Sequence, residues 1–240
     1  MSVALRLDWC SHAAAKYAVE HWHYSKTIPA SRSNYIGVWE DGKFIGVVIF
    51  SLGASPALGK PYGLKGTECS ELTRVALASH QSSVTRIIRI ALKMVQKKNP
   101  GVRLIISFAD PFHDHIGGIY QGGNWIYTGK TSPSEVIELP DGFIADPRRF
   151  NGHGHNSPKA IPAGSKKVKT PGKYRYAMPL DDRLRSRIAA MKKPYPKRVG
   201  SAASGTTTPI VGGGATPTPT LHYAHVDEAS VRETRENLIG

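Results

Sequence analysis

Asp110 and Tyr120 are the side chains whose type and setting first suggest chemistry. Asp110 ends the run Gly101-Val-Arg-Leu-Ile-Ile-Ser-Phe-Ala-Asp110-Pro, and Tyr120 sits in Gly117-Gly-Ile-Tyr120-Gln-Gly-Gly-Asn-Trp125. The apolar stretch Val102–Phe108 predicts a buried strand that delivers Asp110 to a surface. Ligands of open α/β sheets gather where strands end. A carboxylate there can accept a proton, and a phenol can donate one or orient a substrate. An Asp in this position also serves simply to cap the next turn, and the residues leave that reading open.

Two further groupings could carry chemistry. Ser79-His-Gln-Ser-Ser-Val-Thr85 precedes a strongly amphipathic stretch, and a helix start of that kind is a natural anion seat, suited to a pyrophosphate. Ser82, Ser83 and Thr85 would add hydroxyls. Three His-x-His pairs, His21/His23, His113/His115 and His153/His155, have a spacing that can set two imidazoles on one side of a strand, where they suit iron, zinc or copper. No carboxylate or thiolate pattern flanks them, so loop hydrogen bonds or phosphate contacts are the more ordinary use for these rings.

The elements that must position these groups follow from periodicity. A helix is expected from Cys10 to His23 behind a Ser11 cap, then strands Tyr35–Glu40 and Lys43–Leu52 joined at Asp41-Gly42. A loop over 54–66 leads to a strand over Cys69–Ala78. In the next helix Val84, Ile87, Ile88, Ala91 and Val95 share one face, with Lys97 and Lys98 near its end. Strand, helix and the Asp110 strand make a βαβ unit, hence locally parallel. Residues 141–172 read as a long loop, Tyr174–Leu180 as a last strand and Asp181–Met191 as a basic helix. Residues 1–198 form the expected domain, and the Gly/Ser/Thr/Pro-rich 199–240 a disordered tail.

Charge points to a partner. The chain of 240 residues carries a net charge of +14, and residues 148–198 hold 15 Lys/Arg against 2 Asp/Glu. A field so concentrated favours a polyanion, above all nucleic acid. Arg148, Arg149, Lys166, Lys167, Lys169, Lys173 and Arg175 are the expected contacts, interleaved with Phe150, Tyr174, Tyr176 and Tyr195 as rings that could stack on bases. No apolar run approaches the length of a bilayer span, so no membrane partner is expected. Cys10 and Cys69 suit a reducing cytoplasm, as small buried hydrophobes.

The order of hairpin, Glu71-Leu-Thr-Arg74 strand, capped helix, Asp110 strand and Ile-Tyr-Gln-Gly-Gly-Asn-Trp turn resembles the GNAT acyltransferase fold. More closely, His23-Tyr24-Ser-Lys, Tyr35-Ile-Gly-Val-Trp-Glu, Ser107-Phe-Ala-Asp110-Pro and Gly118-Ile-Tyr120-Gln-x-x-Asn124-Trp are similar to the Mom family of phage DNA-modification proteins, over about residues 10–180. The resemblance implies an α/β (α+β) fold with a mixed, mostly antiparallel sheet around a central βαβ unit. It implies a transferase that adds a carbamoylmethyl (acetamido) group to adenine N6 in double-stranded DNA. Such a protein would shield phage DNA from restriction and act in the host cytoplasm, on the nucleoid; its oligomeric state stays open, with a homodimer one candidate. His23, Tyr24, Asp110 and Tyr120 would be catalytic. Arg74, Ser82, Ser83, Thr85 and Ser107 would lie near acetyl-CoA or a related acyl donor. Two departures stand beside this. Segment 79–84 lacks the glycines of the Gln/Arg-x-x-Gly-x-Gly/Ala loop of those acetyltransferases. A carbamoylmethyl group is joined through CH2, which plain acyl transfer does not produce, so Fe(II) at His23 and Tyr24 is a further expectation. Two other functions fit the same sequence: an N-acetyltransferase for a protein or small-molecule amine, and a DNA-binding protein without activity.

Overall fold

A computed structural model of the chain describes residues 3–53, 55–151 and 158–197. Strand β1 (Leu5–Trp9) leads into helix α1 (His12–Trp22), whose first turn is capped by Ser11 accepting the Ala14 N–H at 3.2 Å. Strands β2 (Ser33–Glu40) and β3 (Lys43–Ser51) form the expected hairpin. Asp41 and Gly42 both have positive φ, as a tight Asp-Gly turn requires. Strand β4 (Cys69–Leu77), helix α2 (Val84–Lys98) and strand β5 (Leu104–Ala109) make the βαβ unit. After the short helix α3 (Gly118–Gly122) come β6 (Ile126–Lys130), β7 (Ser134–Glu138), β8 (Ile144–Ala145), β9 (Lys166–Thr170), β10 (Tyr174–Pro179) and helix α4 (Asp182–Ala189).

The main sheet has the order β1-β2-β3-β4-β5-β10-β6. Every neighbouring pair is antiparallel except β4 and β5. One face carries α2, whose Ile87, Ile88, Ala91 and Val95 pack with Val48, Phe50, Leu72 and Ile105. On the other face Ala15, Ala18 and Val19 of α1 cover Val47, Ile49 and Ala76, while Leu184 and Ile188 of α4 cover Leu104, Ile106 and Ala177. Among the described residues no helix is long and apolar enough to cross a membrane.

Two expectations change. Strand β1 pairs along β2, where the sequence reading placed no element. The long loop expected over 141–172 instead holds β8 and β9, which flank β7 in a second sheet around Ile137, Ala145 and Phe150. Strand β9 reads Lys-Lys-Val-Lys-Thr, so it shows no apolar alternation. Its lysines face acids instead: Lys166 stands opposite Glu138 and Lys169 opposite Glu135. The expected tail, 199–240, and the His153/His155 pair lie outside the described residues.

Candidate active site

The site begins with a defect in pairing. Strands β4 and β5 pair only at Cys69/Leu104, Ser70/Ile105 and Glu71/Ile106, then part. On the other edge of β4 the register slips: Phe50 faces Leu72 and Ile49 faces Arg74, which leaves Thr73 as an extra residue. Such a bulge bends a strand and re-aims its side chains. Leu72 therefore packs beneath α2, whereas Arg74 turns to the α1 side, where its Nε donates to the Thr27 carbonyl at 3.3 Å. Ser107 fills the gap from β5. Its Oγ lies 2.8 Å from the Leu72 carbonyl and 2.7 Å from the Tyr120 hydroxyl. A serine has a single proton to give; donated to Leu72, it leaves the oxygen to accept from Tyr120.

Tyr120 is thus a support behind the opening. It is buried between Trp125 and Tyr176, and burial pushes its hydroxyl up to about 12. Gly117 sets its helix: its φ is +81°, and a Cβ there would stand 2.4 Å from the Tyr176 ring. The phenol near Asp110 is Tyr24, which senses the charges of Lys173, Arg74 and Asp110. The Tyr24 ring lies 4.3 Å from His23, 4.5 Å from His113 and 5.3 Å from His115, centroid to centroid. Desolvation among these groups raises its hydroxyl, against the pull of Lys173 and Arg74.

His23 is buried and fixed in one tautomer. Its Nδ1 accepts the backbone N–H of Ser25 at 3.1 Å and sits 2.8 Å from the Ser25 hydroxyl. A backbone N–H can only donate, so Nδ1 is bare and the proton resides on Nε2. Burial, aided by Arg74 and the neighbouring histidines, lowers its pKa to about 3; burial and His113 lower that of His115 too. Both imidazoles are therefore neutral at pH 7. This corrects the metal expectation at His23 and Tyr24: Nδ1 is engaged and Nε2 carries hydrogen. Among the described residues no group of three or more His, Cys, Asp or Glu is disposed to hold a metal. The residues present do not fit Fe(II).

Asp110 is 8% exposed. Its Oδ1 accepts the Phe112 N–H at 3.0 Å, so it caps the next turn as well as facing the site. Its Oδ2 lies 2.9 Å from Nζ of Lys173. Lys173, expected on DNA, is held there by a tight approach: Thr131 N–H donates to its carbonyl at 2.9 Å, and a Cβ at Gly172 would stand 1.8 Å from the Thr131 oxygen. The other cations of 148–198 divide. Arg149, Lys166, Lys167 and Lys169 are exposed on the second sheet or beside it, and the Arg148 side chain is outside the description. Arg175 faces the α4 side, with Nε donating to Thr128 at 3.2 Å. Phe150 and Tyr176 are buried, and Tyr195 donates to the Trp125 carbonyl at 2.6 Å, so these three rings are structural.

The turn that leads into α2 is already occupied by a side chain. The buried carboxylate of Glu40, at the end of β2, accepts the N–H of Gln81 at 3.0 Å and of Ser82 at 2.6 Å. Desolvation raises Glu40, but these bonds outweigh it and hold it below the usual carboxylate range. The Ser83 hydroxyl is spent capping Arg86 N–H at 3.4 Å. The residues present therefore do not fit the diphosphate of an acyl-CoA at that turn. A cavity of about 730 Å3 runs along α2 between it, α3 and the end of β10, past Thr85, Arg86, Arg89, Lys93, Trp125 and Arg185. It does not include the Asp110 cluster. Glu40, the Thr73 bulge and the His113/His115 contacts escaped the sequence reading; of these only the His-x-His spacing gave a signal.

Comparison with known proteins places the chain. The family model described as the Mom protein family matches residues 4–197. The methylcarbamoylase mom of Escherichia phage Mu is 26% identical over 207 residues, spanning 82% of this chain and 85% of that protein. Similar solved structures include a Bacillus subtilis acetyltransferase in complex with CoA, with a TM-score of 0.42, 12% identity and coverage of 75% of this chain and 100% of that one. Another is the spermidine N-acetyltransferase of Vibrio cholerae with CoA and spermine, with a TM-score of 0.40, 11% identity and coverage of 73% and 95%. With the parted strands and the His23-Tyr24 and Asp110 cluster all inside the matched span, the chain belongs to the Mom protein family.

Proposed function

We propose that this chain is a DNA-modifying transferase that places a carbamoylmethyl group on the exocyclic N6 of adenine. The observation that carries the reading is the meeting of Asp110, Lys173, Tyr24 and neutral His23 where β4 and β5 part. The adenine amine is conjugated with its ring and is a poor nucleophile. Asp110 accepts one N6 proton as the N6–carbon bond forms and the bond from that carbon to its leaving group breaks. Lys173 keeps the carboxylate in place. The Nε2–H of His23, the Tyr24 hydroxyl and Arg74 are donors, suited to polarise a carbonyl on the incoming group. Within a duplex N6 is paired, so the adenine is extruded at a cost of a few kcal/mol. Arg149 and the β9 lysines grip the flanking phosphates. Modified adenine would then resist restriction of phage DNA in the host cytoplasm. The test is mass spectrometry of nucleosides from cells that express the chain. An adenosine adduct carrying the carbamoylmethyl mass is expected; nucleosides identical to those of control cells would refute the reading.

A further inference from the structure

We propose that Glu40 determines which donor this enzyme accepts: its carboxylate fills the anion seat in the turn that leads into α2, so the donor of the transferred group is held without a diphosphate there. The term donor rests on the transfer reaction proposed above, whereas the filled seat is a property of the chain alone.

An N-terminal helix turn attracts anions because its first N–H groups lack partners. Here Ser83 caps the helix, and the two amides just before the cap, from Gln81 and Ser82, already donate to Glu40. The carboxylate is not carried on a mobile arm. Glu40 pairs with Leu5 on one side and with Lys43 on the other, and the adjoining turn is tied down by Asp41 N–H to the Ala4 carbonyl at 3.0 Å and Ala4 N–H to Asp41 Oδ1 at 2.9 Å. A diphosphate entering this turn would set its oxygens against a fixed negative charge and compete for the same two amides. The turn itself offers no closer approach. Residues 79–84 include no glycine, so every amide is shielded by a Cβ, and Ser82 is buried.

Near the point where β4 and β5 part, His23, Tyr24 and Arg74 gather instead as N–H and O–H donors, which suit a carbonyl or carboxamide. The structure therefore assigns the donor to a class of small carbonyl-bearing molecules whose binding does not depend on a nucleotide diphosphate.

The experiment is calorimetric titration of the full chain and of Glu40→Gln with coenzyme A and with inorganic diphosphate. Weak or undetectable binding by the parent is expected, with a gain of roughly tenfold or more for both ligands in the variant, since its amides are freed from a charged acceptor. Coenzyme A that binds the parent and is displaced by inorganic diphosphate overturns the proposal, and so does a folded variant that gains nothing. If Glu40→Gln does not fold, amide NMR of the parent decides. Shifts of Gln81 and Ser82 on adding diphosphate overturn the proposal, and unmoved signals uphold it. Absence of any nucleoside adduct would defeat the proposed reaction but would leave these titrations standing.

Discussion

Asp110→Asn separates charge from shape at the reacting centre. Asparagine keeps the volume of Asp110 and an Oδ1 that can accept the Phe112 N–H now received at 3.0 Å. What disappears is the negative charge 2.9 Å from Lys173. The Lys173 side chain is 44% exposed and stays hydrated without its partner, so the pair contributes at most about 1 kcal/mol to stability. The melting temperature should then fall by no more than about 2–4 °C. Loss of a general base costs roughly 100- to 10,000-fold in rate, equivalent to about 3–5 kcal/mol of barrier. The assay is single-turnover formation of the adenosine adduct on duplex DNA, followed by mass spectrometry, with DNA affinity measured in parallel. A collapse in adduct formation with nearly parental affinity and stability is expected. A variant that reacts within about tenfold of the parent would refute Asp110 as the base, because such a residue cannot be supplying the proton transfer.

Ser107→Ala should strand the Leu72 carbonyl and the Tyr120 hydroxyl where neither can reach water, since Ser107 is 1% exposed. Each buried group left unpaired costs roughly 1–3 kcal/mol, so denaturant unfolding should show a loss of about 2–6 kcal/mol; no measurable change would mean that something else bridges the parted strands. The pH dependence of stability tests His23. Above the unfolded pKa near 6.5 both states hold a neutral imidazole, and below it the unfolded chain gains a proton that the folded chain refuses until about 3. Stability therefore declines as pH falls through this window, by about 2 kcal/mol between pH 7.5 and pH 5 from His23 alone. Unfolding titrations at those two values should show the decline, with a smaller one in His23→Gln; equal declines would contradict a buried neutral His23.

Local signals read well from sequence where one element decides its own form. The 3.6-residue spacing of Val84, Ile87, Ile88, Ala91 and Val95 leaves α2 no other option, and Asp41-Gly42 can hardly be anything but a turn. Asp110 at the end of an apolar run was legible because burial and strand end coincide. The rest depends on partners distant in the chain. Glu40 is 41 residues from Gln81, and no local pattern announces that its carboxylate satisfies the turn that leads into α2. Strand β9 is hidden because its lysines are balanced by glutamates on β7 rather than by an apolar face. The two phenols expected beside Asp110 part for the same kind of reason: Tyr120 packs under Ser107, which bonds to the Leu72 carbonyl across the parted strands, whereas Tyr24 is brought toward Asp110 from the end of α1.

The surplus residue at Thr73 makes chain length, more than side-chain identity, the source of the bend in β4. Excising it would straighten the strand and restore an even ladder with β3, while Leu72 and Arg74, now direct neighbours, would keep their opposite faces. A strand bent in this way tolerates many replacements along its length, yet a deletion of three nucleotides unbends it.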